Sequence, residues 1–339
     1  MTESYNINRS PVPTFAKLNM NGDPVQIRSD ISDCEQVKMT FKDDGLVENG
    51  YYTGDIPESA SGEDIEKLLK NKRHYYLAEG NAEVTIFFEN DSVLGRVIRV
   101  PANADISLLE VTRGKGETII NSTVYILEKG ARLKLVRIQL LDRSTRYIDD
   151  LRAELSEDSN LEVIRLDLGS AVSYISSNIL LDGKDSDYTA LGNYLLTDKQ
   201  RLDINMMAAH IAPNTKSDMR ADGVLCGASS KIFRGVLDFK SGCKGAKGAE
   251  NEDVIMLSED ARNQSLPIIL CGEEDVEGNH GASVGMISDE ILYYLACRGF
   301  DKETATRFLI RARFDGILSF VDKDDLRSEI SKLIDEVLA

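Results

Sequence analysis

The sequence predicts a mainly β protein, with a solenoid of stacked β-coils as its core and short helical parts at both ends. From about residue 82 to 270, apolar residues alternate with polar ones, and Gly, Asn, Asp and Ser residues interrupt the alternation at short intervals. After Gly285 the apolar spacing changes to three and four residues, which is typical of amphipathic helices. These changes predict an irregular and helical segment 1–80, a β core 81–285 and a helical part 286–339.

The first 80 residues contain Pro or Gly every few positions, which excludes long regular elements before residue 61. One short helix is predicted from Gly62 to about Lys72. Ile65, Leu68 and Leu69 give it an apolar stripe at helical spacing. This segment is therefore expected to lead into the β core.

The many short strands of the core fit either a sandwich or barrel, or a solenoid. The dipeptides Asp182-Gly183 and Asp222-Gly223 favour hairpins, which a sandwich uses. Similar phrases at 131–135, 160–164 and 200–204 favour successive coils instead, although their separation of roughly 30 to 40 residues is too irregular to establish a repeat. The residues alone give a preference for a parallel β-helix.

The C-terminal part predicts three helices. Ser288 and Asp301 stand where the first two helices begin and are suitable N-caps, and Gly299 ends the first of them. The last helix is predicted from about residue 324 to 337. The predicted buried stripe of the middle helix consists of Ala305, Phe308, Leu309 and Ala312.

Composition excludes several classes of protein. The chain has 40 Lys and Arg residues against 57 Asp and Glu residues, and a net charge of −17 opposes binding to nucleic acid phosphates. Its five cysteines contain no CxxC pair, which favours reduced thiols over a disulfide framework or zinc ribbon. No signal peptide or membrane-spanning apolar stretch is visible. We expect a cytoplasmic protein that binds no nucleic acid and no membrane.

The densest polar segment spans residues 271–285. It places the Cys271 thiol, four carboxylates including Glu277, and the His280 imidazole close together in sequence. Such groups are ligands for iron or zinc. The alternative is a solvated acidic turn between the last strand and the first C-terminal helix, with His280 bonded to a backbone carbonyl.

Other chemistries find less support. The glycine-rich loop 242–248 lacks the spacing of a nucleotide-binding P-loop, and no GxSxG motif marks a serine hydrolase. Acidic residues are numerous enough for a β-solenoid enzyme that acts on carbohydrate. The absence of Trp weighs against a groove that stacks on sugar rings.

Six blocks between residues 210 and 299 form a specific set. They are the block His210–Ser217, which reads H-x-A-P-N-T-x-S, and the blocks 229–235, 257–261, 265–271, 275–285 and 293–299. Together they resemble the SufB/SufD family of the SUF iron–sulfur cluster assembly system. The resemblance is specific from about residue 210 to 314. Leu270-Cys271, the acidic run and HGASVG are closer to SufD than to SufB.

This resemblance implies a right-handed parallel β-helix and a scaffold subunit without catalytic activity of its own. It implies that a SUF ABC-type ATPase subunit docks on the helices between about 288 and 314. It further implies pairing through the β-helix with a SufB-type subunit or a second copy, and an indirect link to a cysteine desulfurase. A transient iron–sulfur cluster is the expected cargo, and flavin binding stays open.

The resemblance also assigns site residues. His280 matches the SufD histidine implicated in cluster assembly, and Cys271 and Glu277 are its predicted neighbours as metal ligands. The sulfur-accepting cysteine of SufB matches a position near Pro267, so Cys271 and Cys243 are the alternatives for sulfur acceptance. We expect Cys271 to be buried, with a raised pKa, and Cys243 to be exposed.

Cys226 and His210 are interpreted as structural residues, and Cys34 and Cys297 receive no role. Two other functions stay open at this point: a carbohydrate-active β-solenoid enzyme and a purely structural subunit.

Overall fold

The computed structural model is a mainly β protein in which two long sheets form a solenoid of about seven turns. It describes residues 2–12, 20–28, 31–33, 37–42, 44–57, 62–69 and 72–337. Cys34 lies outside the described residues. The predicted fold class, a β-solenoid with short helical ends, is confirmed.

The first sheet, called sheet 1 below, contains the even-numbered strands of the solenoid and two short strands before it. Its members are β3 (Ser32–Asp33), β5 (Leu46–Tyr51), β6 (His74–Ala78), β8 (Ser92–Val100), β10 (Thr118–Leu127), β12 (Arg146–Leu155), β14 (Val172–Leu181), β16 (Arg201–His210), β18 (Ser230–Phe239) and β20 (Arg262–Cys271).

The second sheet, sheet 2, contains the odd-numbered strands of the solenoid from β7 onward and one short strand before them. Its members are β4 (Val37–Phe41), β7 (Ala82–Phe88), β9 (Asp105–Gly114), β11 (Arg132–Leu141), β13 (Asn160–Asp167), β15 (Asp187–Leu196), β17 (Lys216–Leu225), β19 (Ala246–Met256) and β21 (Val276–Gly285). Antiparallel pairing occurs only near the N-terminus of the described chain, in the pairs β4–β7 and β5–β6 and in a separate hairpin of β1 (Thr2–Ile7) and β2 (Asp23–Arg28).

Parallel register reveals the repeat that the sequence could not establish. Each strand of the solenoid pairs in parallel with the strand one coil later, and the shift ranges from 22 residues (His74 to Arg96) to 32 residues (Ser230 to Arg262). The phrases 131–135 and 160–164 belong to neighbouring coils of sheet 2, whereas 200–204 belongs to sheet 1. The separation of the three phrases looked irregular because they come from two different sheets.

The two expected hairpin signals are not hairpins. Asp182-Gly183 lies at the corner between β14 and β15, which belong to different sheets. Asp222-Gly223 lies inside β17. The corners on one side of the solenoid share a different signal, which is one residue per coil with a positive φ. Asn, Asp and Gly tolerate this backbone conformation best. These residues are Asn103, Gly130, Asp158, Asp185, Asn214 and Gly245.

Three layers of apolar contact organise the molecule. The largest fills the lumen, by which we mean the interior between the two sheets, and runs from Leu46 to Ala261. The hairpin β1–β2 and helix α1 (Gly62–Leu69) pack on the outer face of sheet 1, against Val93, Ile120 and Ile148. The α1 helix therefore forms as predicted, although it ends at Leu69.

The C-terminal helices cover the outer face of sheet 2. They are α2 (Asp289–Ala296), α3 (Lys302–Leu318) and α4 (Asp324–Val337). Ser288 and Asp301 cap α2 and α3 as predicted, because their side chains accept hydrogen bonds from backbone N–H groups of the first turn. The predicted α3 stripe is correct only in part, since Ala305 is buried but Phe308 and Ala312 are exposed. The face that packs on sheet 2 contains Ile310, Phe314, Ile317 and Leu318.

Candidate site at the C-terminal end of the solenoid

The last coil of the solenoid consists of β20 and β21, and each strand forms the end of its sheet. In the described part of the chain, no strand pairs with the outer edge of either one. The segment expected as a solvated turn is therefore largely a ten-residue strand, Val276–Gly285. Weak apolar character hid this strand, because no further coil covers its side chains.

Register shows which side chains of the last coil face the lumen. Cys271 pairs with Phe239, whose ring lies in the lumen core, and His280 pairs with Glu250, which is also buried there. Paired residues on parallel strands point to the same face of a sheet. Cys271 and His280 therefore both face the lumen side of the open last coil, and both are exposed.

Glu277 lies on the other face. It pairs in register with Lys247, and the Glu277 Oε1 atom lies 2.7 Å from the Lys247 Nζ atom in an exposed ion pair. Residues three apart on a strand point to opposite faces, which separates Glu277 from His280. The three predicted ligands thus divide into a lumen-facing pair and an outward-facing carboxylate. Within the described residues, no three His, Cys, Asp or Glu side chains converge on a metal position.

The two candidate sulfur acceptors have the opposite burial to that expected. Cys271 is exposed, and its thiol donates a hydrogen bond to the Glu273 carbonyl at 3.1 Å. Cys243 is fully buried at a corner of the lumen. Burial, with the nearby Glu273 charge, raises the pKa of the Cys243 thiol. Cys271 is therefore the accessible thiol of the two.

His210 and Cys226, which the sequence analysis interprets as structural, both lie against apolar parts of the molecule. His210 is buried, hydrogen-bonded to Thr215 and Ser217 at 2.8 and 2.9 Å, and stacked on Phe239. Burial lowers the pKa of His210 to about 4. Cys226 is half-buried beside the apolar layer under α3, and burial raises its pKa to about 11.

Directly beneath the last coil, the lumen contains charged side chains that the sequence analysis missed. Lys231 on β18 is fully buried, and its Nζ atom contacts Oε1 of Glu252 on β19 across the lumen. Ser265 on β20 donates a hydrogen bond to Glu252. Glu250, two residues before Glu252, is also buried and faces the same way. We call Lys231, Glu250, Glu252 and Ser265 the lumen floor.

Burial controls the charges of the lumen floor. It lowers the pKa of Lys231 well below its usual value, and it raises the pKa of Glu250 to about 7, against a smaller opposite influence of Lys231. Glu250 reaches across to Gly235, where a Cβ atom would lie 2.0 Å from the Glu250 Cδ atom. Position 235 therefore requires glycine, because any side chain there would collide with Glu250. The sequence block 229–235 did not indicate this role.

The family model described as "SUF system FeS cluster assembly, SufBD core domain" matches residues 71–313. This match covers more than half of the chain and includes all parallel coils of the solenoid. The chain belongs to the SufBD family.

Several curated SufBD family proteins are similar to it. An iron–sulfur cluster assembly SufBD family protein of Mycobacterium leprae is 28% identical over 234 residues, which is 67% of this chain and 59% of that protein. One from Mycobacterium tuberculosis is 26% identical over 231 residues, 66% of this chain and 58% of that protein. The iron–sulfur cluster assembly protein SufD of Bacillus subtilis is 27% identical over 195 residues, which is 56% of this chain and 44% of that protein. The chain thus spans less than two thirds of each relative's length.

Two surfaces of this SufBD family protein bear on its predicted partners. The open last coil is one. The other is an apolar patch around α2, called the α2 patch, in which Tyr293 is 73% and Met286 70% exposed. Its other members are Val284, Ile291, Tyr294 and Phe308. In the described part of the chain, the helices all lack the length and apolarity needed to cross a membrane.

Proposed function

We propose that this chain is a SufD-like scaffold subunit of a SUF complex, without catalytic activity of its own, on which an iron–sulfur cluster is assembled and from which it is transferred. The observation that supports this most is the last coil, where His280 and Cys271 share the open lumen-facing side. Thiolate and imidazole are ligands that iron accepts. Iron and sulfide are cargo of this site, delivered by other proteins, with a cysteine desulfurase as the indirect sulfur source.

The missing ligands come from a second subunit in this proposal. The edges of β20 and β21 offer unpaired backbone groups, and such edges readily pair with strands of another chain. A SufB-type subunit or a second copy that continues both sheets would place its own last coil against His280 and Cys271. A ligand set divided between two chains agrees with the lack of a converged metal site among the described residues.

The ATPase partner docks on the α2 patch in this proposal. Large exposed aromatic and Met side chains are typical of binding surfaces, and they are uncommon as a contiguous group on a monomer. The patch begins at the end of β21, so movement of a bound ATPase would act directly on the last coil.

The experiment is co-expression with the neighbouring SUF ATPase and SufB-type subunits, followed by anaerobic reconstitution with iron and sulfide. We expect His280→Ala to keep the complex but to lose most visible cluster absorption, because an imidazole ligand is missing. Asn279→Ala is the matched control. Asn279 is the neighbour of His280 on β21, but its side chain points to the outer face, so this variant should keep the absorption.

Binding of the ATPase subunit is measured in the same preparation, by whether it co-purifies with the chain. Tyr293→Ala should release the ATPase subunit during purification. Tyr51→Ala should retain it, because Tyr51 is also an exposed tyrosine but lies at the N-terminal end of the solenoid. Wild-type absorption in His280→Ala would refute the cluster site. No stable complex for the wild-type chain would refute the scaffold proposal as a whole.

A further inference from the structure

The lumen floor contains all the groups needed for a covalent cross-link, a chemistry that the scaffold function does not use. The Nζ atom of Lys231 contacts Oε1 of Glu252 from the opposite sheet. We propose that Lys231 and Glu252 form an intramolecular amide bond that ties sheet 1 to sheet 2 beneath the last coil.

The nucleophile of this reaction is the Lys231 amine. Its side chain is fully buried, and the rings of Phe233 and Tyr194 lie 5.2 and 5.9 Å from Nζ. An apolar environment disfavours the ammonium form, and burial lowers the pKa of Lys231 accordingly. A neutral amine has the free electron pair that attack on a carboxyl carbon requires.

The electrophile is the Glu252 carboxyl carbon. Ser265 donates its hydroxyl hydrogen bond to Glu252 Oε2, the oxygen opposite the one that Lys231 contacts. When Nζ attacks, negative charge develops on an oxygen of the tetrahedral intermediate, and a donor already in place stabilises that charge. Ser265 is thus correctly placed to assist the attack, and Oε1 is the oxygen that leaves.

Glu250 supplies the proton transfer. It lies two residues from Glu252 on the same lumen face, and among the described residues its buried Oε2 atom has no hydrogen-bond partner. Gly235 leaves the space in which this side chain crosses the lumen. An unpaired buried carboxyl calls for an explanation, and a role in proton transfer provides one.

The step balances without any further reactant. The Nζ–Cδ bond forms, the Cδ–Oε1 bond breaks, and two protons leave with Oε1 as water: one from the amine and one from the neutral carboxylic acid. Glu250 gives a proton to the departing oxygen and recovers one from Nζ, so it is unchanged. Fixed groups in contact reach effective concentrations of about 10⁵–10⁸ M, and burial of both side chains disfavours the competing ion pair.

The test is the intact mass of the freshly purified full-length chain under denaturing conditions. We expect a mass lower than that of the sequence by one water molecule, and a proteolytic map in which the peptide with Lys231 is joined to the peptide with Glu252. Lys231→Arg should restore the full sequence mass, because a guanidinium group does not form this bond. Glu250→Gln should slow the loss of water, which a purely structural role would leave unchanged.

The exposed ion pair Lys247–Glu277 is the internal control, since it has the same residue types one coil away and lies in water. Its peptides should stay separate. A wild-type chain that keeps the full sequence mass after prolonged incubation at neutral pH would overturn the proposal, and so would a cross-link that maps to other residues. Both results are read from the wild-type chain, so they do not depend on whether a variant folds.

Discussion

The lumen contains two groups of buried charges that differ in how they are balanced. In the N-terminal half, three arginines alternate with three acids across the sheets, and each guanidinium bonds to a carboxylate; the members are Arg96, Glu110, Arg137, Asp149, Arg165 and Asp167. The lumen floor instead has one lysine for two acids. In the first group every charge is paired, so we call it the closed network. In the second group, which lies next to the candidate site, one lysine cannot balance both acids.

The physical consequence appears in the two glutamates. Burial alone would raise the pKa of Glu110, but Arg96 and Arg137 outweigh it and hold the pKa at about 2. At Glu250, burial dominates over the smaller influence of Lys231, and the pKa is about 7. The same lumen therefore keeps the Glu110 carboxyl ionised, whereas the Glu250 carboxyl is about half protonated near pH 7. The number and geometry of neighbouring cations cause the difference, since both side chains are buried.

The largest expected effect comes from breaking the closed network. Arg137→Met removes the cation shared by Glu110 and Asp149, so each buried carboxylate loses charge-assisted hydrogen bonds. We expect the free energy of unfolding to fall by about 3–5 kcal/mol, measured by denaturant titration.

Arg99→Met is the control for that measurement, because the Arg99–Glu128 ion pair is half exposed and contributes little. Glu250→Gln should lower the free energy of unfolding less than Arg137→Met, since it removes no cation from a buried carboxylate and leaves the contact of Lys231 with Glu252 in place. Equal costs for the two lumen variants would contradict the distinction between a closed and an open group.

The second effect is a pH dependence that Glu250 introduces. Between its ordinary pKa of 4.5 and the folded value of about 7, Glu250 holds a proton in the folded state that the unfolded chain has released. Its contribution to stability is therefore present below pH 4.5 and is lost as pH rises through 7, by about 3 kcal/mol at 1.36 kcal/mol for each unit.

Glu250→Gln should flatten this part of the stability curve. The measurement is the denaturant midpoint of wild type and variant at several pH values from 4.5 to 8, with their difference as the readout. His210 acts in the opposite direction, because its pKa of about 4 means that stability is lost as pH falls below 6.5. Parallel curves for the two proteins would exclude Glu250 as the source.

The smallest effect is expected outside the lumen. Lys247→Met breaks the exposed ion pair with Glu277, and we expect a change in the free energy of unfolding of about 0.5 kcal/mol or less. The same denaturant titration measures it. A cost near that of Arg137→Met would show that exposure does not separate the two kinds of ion pair.

Most of the fold was predictable because it depends on local patterns. Alternation at period two identified the strands from about residue 82 onward, and Ser288 and Asp301 marked the starts of their helices. The strand Val276–Gly285 was missed because an uncovered last coil needs few apolar residues. The apolar residues of α3 can be grouped into more than one helical face, and the sequence analysis chose a face that includes Phe308. Only packing on sheet 2 selects the face with Ile310 and Phe314.

The candidate site was predictable only in part. The motif around His280 led to the SufBD family, which the match over residues 71–313 confirms. The role of His280, Cys271 and Glu277 as metal ligands stays a prediction. The burial of the thiols was inverted, because exposure of Cys271 depends on the absence of a further coil and burial of Cys243 depends on a corner turned inward.

By itself, the sequence determined the β-solenoid class, the helical ends and the family, because alternation, capping residues and motifs are short-range properties of the chain. Only the tertiary structure decided which residues share a face. Lys231 and Glu252 are separated in sequence and face each other across the lumen, whereas Glu277 and His280 are three residues apart and face away from each other. The coil register brings distant residues together, and strand pleating separates neighbours.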